Sequence, residues 1–154
     1  MHGGSYPQSV VSWLSNGERP YEGHSCAQLG TPVPCISQTA AAAWMYQEFI
    51  VPNVTDAVSI TFAYRIFTND VLDWASFHVE LRAPNGALLA RILRDGYKSS
   101  SSPCGNDLGW KTFSYNLEAY KGQTVRLYLE SKNEWDGGLG IWTYVDDVKL
   151  QMGP

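Results

Sequence analysis

The sequence predicts an all-β fold, a two-sheet antiparallel β-sandwich of the jelly-roll kind. Three observations carry that expectation. Apolar and polar residues alternate with a period of two in short runs, and roughly nine such runs follow one another along the chain. Between them stand 14 Gly and 8 Pro, spaced as turns rather than as helix caps. No stretch sustains the roughly 3.6-residue apolar period of an amphipathic helix.

Val10 to Leu14 is the first run, followed by Ser25 to Leu29 and Met45 to Val51. Ala57 to Phe67 is the longest, with Val58, Ile60, Phe62, Tyr64 and Ile66 inward and Ser59, Thr61, Ala63 and Arg65 outward. Ser76 to Arg82 sends Phe77, Val79 and Leu81 to the core and His78, Glu80 and Arg82 to the surface. Pro84-Asn85-Gly86 turns the chain into Leu88 to Arg94, with Asn85 and Gly86 supplying positive φ. Lys111 to Leu117 buries Phe113, Tyr115 and Leu117, and Thr124 to Glu130 buries Val125, Leu127 and Leu129. Ile141 to Leu150 is the last. Ala40 to Ala43 admits at most one helical turn, as does Leu117 to Gly122, and Ser99 to Ser102 reads as a loop tip.

A chain of 154 residues is long enough to bury a full core, and residues 9–151 read as a single domain. Residues 1–8 read as a disordered N-terminal segment or an expression scar, too short and polar for a signal peptide, so His2 is discounted. The net charge of −4 argues against nucleic acid and against a polybasic membrane contact. No apolar run approaches the ~18 residues that span a bilayer.

Three Cys leave an odd one over. Cys35 and Cys104 lie in loop chemistry, where a disulfide adapts its geometry, and Cys26 lies in a strand as a small buried thiol. A Cys35–Cys104 bridge is favoured, Cys26–Cys35 is the alternative, and three reduced thiols remain the reading for a cytosolic chain. Zinc is disfavoured: there is no C-x-x-C pair, and only His24 and His78 are at hand.

Asp146 and Asp147 interrupt the final run, Tyr144 to Leu150. Strict alternation puts Asp146 on the same face as Tyr144, Val148 and Leu150, where a carboxylate is costly unless satisfied. A bound cation would satisfy it.

Several segments resemble the galactose-binding-like jelly rolls that serve as accessory, carbohydrate-binding modules of secreted bacterial proteins, and the related MAM-type adhesion domains. They are Gly23-His24-Ser25 with Leu29-Gly30, Tyr46-Gln47-Glu48-Phe49-Ile50-Val51-Pro52, Ile60 to Ile66, Asp73 to Val79, Gly109-Trp110, Leu117 to Val125, and Tyr144 to Val148. The loops Thr31 to Ala43 and Ser99 to Cys104 depart from the pattern. The resemblance implies an extracellular, secreted or cell-surface module. It also implies one structural calcium where the final strand meets the N-terminal segment. Asp146 matches the family's ligand position, with Glu22, Glu18 and Ser25 as expected partners and Asn16 as a further oxygen donor.

Sugar recognition needs flat aromatic faces and planar polar groups. Arg65, His78, Glu80, Arg82, Arg126, Tyr128 and Glu130 are outward on predicted strands, and the loops add Asp70, Asp73, Trp74, Trp110, Trp135 and Asp136. Trp135 and Trp74 are the expected stacking platforms, with Arg65, His78, Glu80, Arg126 and Tyr128 as the polar partners. Glu80 with Glu130, or Asp70 with Asp73, could be written as a glycosidase pair, but no nucleophile motif has its local context. Asn53-Val54-Thr55 is a glycosylation sequon. The expected function is non-catalytic binding of a polysaccharide or other glycan. The alternative is a MAM-like structural or adhesion domain that meets a protein partner or another copy of itself.

Overall fold

A computed structural model describes residues 2–6, 11–14, 20–32, 40–68, 70–99, 105–134 and 140–153, with backbone alone at 2–6 and 11–14. Ten strands follow in order: β1 (His2–Tyr6), β2 (Val11–Leu14), β3 (Cys26–Leu29), β4 (Ala41–Ile50), β5 (Ala57–Thr68), β6 (Ala75–Arg82), β7 (Leu88–Asp95), β8 (Asn106–Asn116), β9 (Thr124–Asn133) and β10 (Ile141–Gly153). They form two antiparallel five-stranded sheets, ordered β1-β4-β9-β6-β7 and β2-β3-β10-β5-β8. The architecture is the two-sheet jelly-roll sandwich that the alternation predicts. A single 3₁₀ turn, Glu118–Tyr120, joins β8 to β9.

Between the sheets lies the core the alternation assigns. Val58, Ile60, Phe62, Tyr64 and Ile66 from β5 meet Phe77, Val79 and Leu81 from β6 and Val125, Leu127 and Leu129 from β9, all at most 4% exposed. Polar ties also cross this layer. Tyr64 Oη donates to Asp95 at 2.8 Å, and the Ser131 and Thr143 hydroxyls meet at 3.1 Å.

Gly30 ends β3 at φ +94°. A Cβ there would stand 2.6 Å from the Ile141 carbonyl, so the close approach of β3 to β10 needs a glycine. In the β6–β7 turn Gly86 alone takes positive φ, where both Asn85 and Gly86 are expected to; Gly86 N donates to the Ala83 carbonyl at 2.8 Å. One left-handed residue suffices when the loop is longer than two residues.

Three expectations change. Residues 2–6 form β1 beside Ala42–Tyr46 of β4, where the sequence reads a disordered segment. The edge of β4 offers open backbone groups, and a Gly-Gly-Ser stretch can pair with them without side-chain conflict. Ala41 to Ala43 extend β4 rather than turning helically, because cross-strand pairing with Ser131–Asn133 overrides alanine's helix propensity.

The third change concerns the last strand. Pairing with β5 shifts between Asp146 and Lys149, and Asp147 sits at φ +51°, a β-bulge that inserts one residue. Tyr144 and Asp146 therefore face outward and Val148 packs on the core, so the uninterrupted alternation assigned to Tyr144–Leu150 does not hold.

Candidate functional site

The outer face of the sheet β1-β4-β9-β6-β7 gathers the most chemistry. Backbone register places Trp44, Glu130, His78 and Arg94 in one row across four strands. Tyr46, Tyr128, Glu80 and Arg91 make the next row, and Glu48, Arg126 and Arg82 the third. Aromatic rings thus cluster on β4 and β9, and guanidinium groups on β6 and β7, with Arg126 on β9.

The rings lie nearly parallel. Trp44 is 6.2 Å from Tyr46 at 16° and 6.0 Å from Tyr128 at 23°. Arg82 lies over the Tyr128 ring at 3.5 Å and Arg126 over the Tyr46 ring at 4.8 Å. The result is a continuous row, guanidinium–ring–ring–ring–guanidinium, with Trp44 at its centre. Such a row is rigid, because each flat group restricts its neighbour and the cation–ring contacts are attractive.

Beside it, Glu80 is only 6% exposed although it faces outward. Its Oε2 accepts from Arg82 Nε at 2.9 Å and NH2 at 2.7 Å, and its Oε1 accepts from Arg91 Nε at 3.2 Å. Burial pushes the Glu80 carboxyl up, but the two guanidinium groups outweigh it and hold the pKa below the ordinary value. Glu130 goes the other way: burial holds it above the ordinary range, and only the Tyr128 hydroxyl, 3.3 Å away, bonds it directly. Burial, then Arg94 and Arg91, keep His78 below its usual pKa, and its Nε2 lies 2.6 Å from Ser76 Oγ. Arg126 Nε donates to Glu48 at 2.8 Å. The carboxylate, imidazole and guanidinium groups here are planar and held in place by these contacts.

Of the residues expected to bind ligand, His78, Glu80, Arg126 and Tyr128 share this face. Arg65 does not. It lies on β5 in the opposite sheet, forked onto Asp107 at 3.0 and 2.6 Å, with its guanidinium 4.8 Å from the Phe67 ring. Period-two alternation assigns a residue to a face but not to a sheet, which is why Arg65 and Arg126 look alike in the sequence. Trp74 is 43% exposed just before β6, at the end of the face, where its carbonyl accepts from Glu134 N at 2.8 Å. Beside it Val71, Leu72, Asp73, Tyr97, Lys98 and Ser99 line a cavity of about 410 Å³. Trp135, Asp136, Glu18, Asn16, Cys35 and Cys104 lie outside the described residues. Cys26 is buried at 2%, packed with Trp142 and Tyr144. Asn53 is exposed.

Trp44 and Tyr46 are the residues the sequence reading missed. Their signal is the alternation Trp44, Tyr46, Glu48 against Met45 and Phe49, visible once β4 is extended back to Ala41.

Asp146 has different company from that expected. Its Oδ2 accepts the backbone N–H groups of Tyr21 at 2.9 Å and Glu22 at 3.0 Å, and its Oδ1 accepts Asp147 N–H at 2.7 Å. Glu22 instead meets Lys149 at 3.3 Å, and Lys149 also pairs with Asp147. Calcium wants six to eight oxygens, whereas this site offers three N–H donors and an ammonium. Among the described residues no three His, Cys, Asp or Glu side chains gather to hold a metal. Glu18 and Asn16, two of the oxygen donors that the resemblance implies, lie outside the described residues.

No protein-family model matches the chain, and no curated protein matches it. Solved structures do. Over 98% of its length the chain superimposes on 87% of TmCBM61, a carbohydrate-binding module solved in complex with β-1,4-galactotriose, at TM-score 0.61 and 10% identity. The fold is that of carbohydrate-binding modules. A second match, from a study of the promiscuous specificity of β-sandwich carbohydrate-binding modules, has TM-score 0.56 and 14% identity over 97% of this chain and 56% of that one. The enzymatically active domain of bacteriophage CBA120 tailspike protein 4 matches at TM-score 0.52 and 10% identity; the chain spans 19% of it. No described helix is long and apolar enough to cross a membrane.

Proposed function

We propose that this chain is a non-catalytic carbohydrate-binding module that takes a glycan across the outer face of β4, β9, β6 and β7. The observation that carries this reading is the parallel row of Trp44, Tyr46 and Tyr128, flanked by Arg82 and Arg126 and bordered by Glu80, Glu130 and His78. Sugars present an apolar C–H side and a rim of hydroxyls, and this face offers aromatic surface beside fixed planar donors and acceptors. The fold likeness to carbohydrate-binding modules supports it.

A catalytic reading is weaker. Glu80 and Glu130 have carboxyl pKa values pushed apart, which is the pattern of an acid–base pair. However, both Glu80 oxygens are already held by guanidinium groups, which leaves no free nucleophile. A secreted setting goes with this function and would be tested by expression with and without an export signal. The adhesion reading draws on one observation, exposed Ile50 on β4 and exposed Leu150 and Met152 on β10, with Leu150 lining an apolar cleft of about 180 Å³.

The test is isothermal titration and affinity electrophoresis against a polysaccharide panel, with Trp44→Ala as the control. Binding by the native chain, reduced at least tenfold in the variant with the melting temperature retained, supports the reading. Binding unaffected by Trp44→Ala moves the site elsewhere.

A further inference from the structure

We infer that the glycan is acidic, bearing carboxylate or sulfate groups, and that Arg91 and Arg94 on β7 receive them. This rests on the proposed binding face and names the class of ligand that face selects.

Charge distribution is the first observation. The chain as a whole carries −4, yet four of its six arginines, Arg82, Arg91, Arg94 and Arg126, stand on the outer face of one sheet. Lys132 and Glu134 pair with each other at 3.0 Å, and Arg126 pairs with Glu48. That leaves Arg82, Arg91 and Arg94 at the β6–β7 end against Glu80, with Glu130 one strand further in. Two guanidinium groups share the single buried Glu80 carboxylate, so this trio carries one positive charge in excess. His78 stands in the same row as Glu130, directly across from Arg94 on β7.

Availability is the second. Arg91 meets Glu80 through Nε, and 55% of its side chain stays exposed. Arg94, directly across from His78, is exposed and donates NH2 to the Leu72 carbonyl at 3.0 Å. A guanidinium fork matches carboxylate and sulfate oxygens two at a time, which a hydroxyl-only sugar does not exploit.

Geometry is the third. Tyr128 and Arg91 share a row two strands apart, about 10 Å at ordinary strand spacing. An extended chain crossing the strands from β4 to β7 would stack one ring on the aromatic row and bring a later substituent to the arginines. Among the described residues β7 is the end strand of its sheet, and a polymer crossing the strands leaves the face there.

The experiment titrates the native chain with polygalacturonate, a sulfated galactan and neutral β-1,4-galactan, each at 20 mM and 300 mM NaCl. The variants Arg91→Gln/Arg94→Gln, Arg91→Lys/Arg94→Lys and Trp44→Ala are run alongside, with melting temperatures. The expected result is at least tenfold tighter binding of one or both acidic polymers than of the neutral one, weakened by salt. The Gln pair should lose that preference and the Lys pair should keep part of it. Preference for polygalacturonate assigns a carboxylate, and preference for the sulfated galactan assigns a sulfate. Binding of the neutral polymer equal to or tighter than the acidic ones, insensitive to salt, overturns this inference and leaves the glycan reading standing. Acidic binding retained by Gln variants of native melting temperature overturns the role of these arginines. Failure to bind any polymer, by a chain that melts cooperatively, overturns both.

Discussion

The Tyr64 hydroxyl and the Asp95 carboxylate, 2.8 Å apart, join the two sheets across the core. Tyr64 belongs to β5 and Asp95 to β7, so the bond closes the sandwich at the β7 edge, where β7 has no outer neighbour strand. Lys111 from β8 reaches the same oxygen at 2.6 Å, and Gly96 N–H fills the other at 2.9 Å. Tyr64→Phe removes one of three hydrogen bonds to a buried carboxylate and leaves Lys111 and Gly96 in place, so it should cost about 1–2 kcal/mol. Urea unfolding of the pair Tyr64→Phe and Asp95→Asn, with the double variant, checks the coupling.

The same cluster sets an acid limit. Burial pushes the Asp95 carboxyl up, but hydrogen bonds from Lys111, Tyr64 and Gly96 outweigh it, and the native pKa lies below the ordinary one. A depressed native pKa contributes stability that is whole well above the unfolded value of about 3.9 and is lost as pH falls through the native value. Melting temperature should therefore drop below about pH 4, and less steeply in Asp95→Asn. Equal slopes in both proteins would remove Asp95 from the account.

Asp146 fastens the segment before β3 to the last strand by hydrogen bonds to Tyr21 and Glu22 N–H groups. Asp146→Ala should destabilise by about 1–3 kcal/mol, because the backbone donors lose a charged acceptor. EDTA should leave the native melting temperature unchanged. A drop of several degrees, restored by calcium, would support the metal that the family resemblance implies.

Gly30→Ala should be among the more damaging small substitutions. The residue stands at φ +94° and its Cβ would press on the Ile141 carbonyl at 2.6 Å. A loss of about 2 kcal/mol or more is expected, read by thermal unfolding. Gly86→Ala, with nothing within 4 Å of its Cβ and φ +89°, carries backbone strain without the clash and should cost less.

Much of this was legible before the structure, and the exceptions have physical causes. Phe77, Val79 and Leu81 against His78, Glu80 and Arg82 gave an unambiguous face assignment, because one face of β6 is core and the other meets polar neighbours. That His78 and Glu80 would be 9% and 6% exposed was not legible, since their cover comes from side chains on β7 and β9, distant in sequence. Arg65 was grouped with Arg126 because alternation is silent on sheet membership. Trp44 hid behind an alanine run whose local preference is helical. The orientation of Asp146 depended on a bulge formed at an aspartate in left-handed backbone, where a glycine would have announced it.

The bulge at Asp147 also fixes a count. Upstream of it the outward Asp146 tethers Tyr21 and Glu22, and downstream Val148 packs on the core. Removing a single residue there would turn the strand's tail over, driving the Lys149 ammonium inward and Val148 into water. A one-residue deletion between Asp146 and Lys149 should therefore be as damaging as loss of the Asp146 tether itself. Spacing, as well as composition, is what this strand has to preserve.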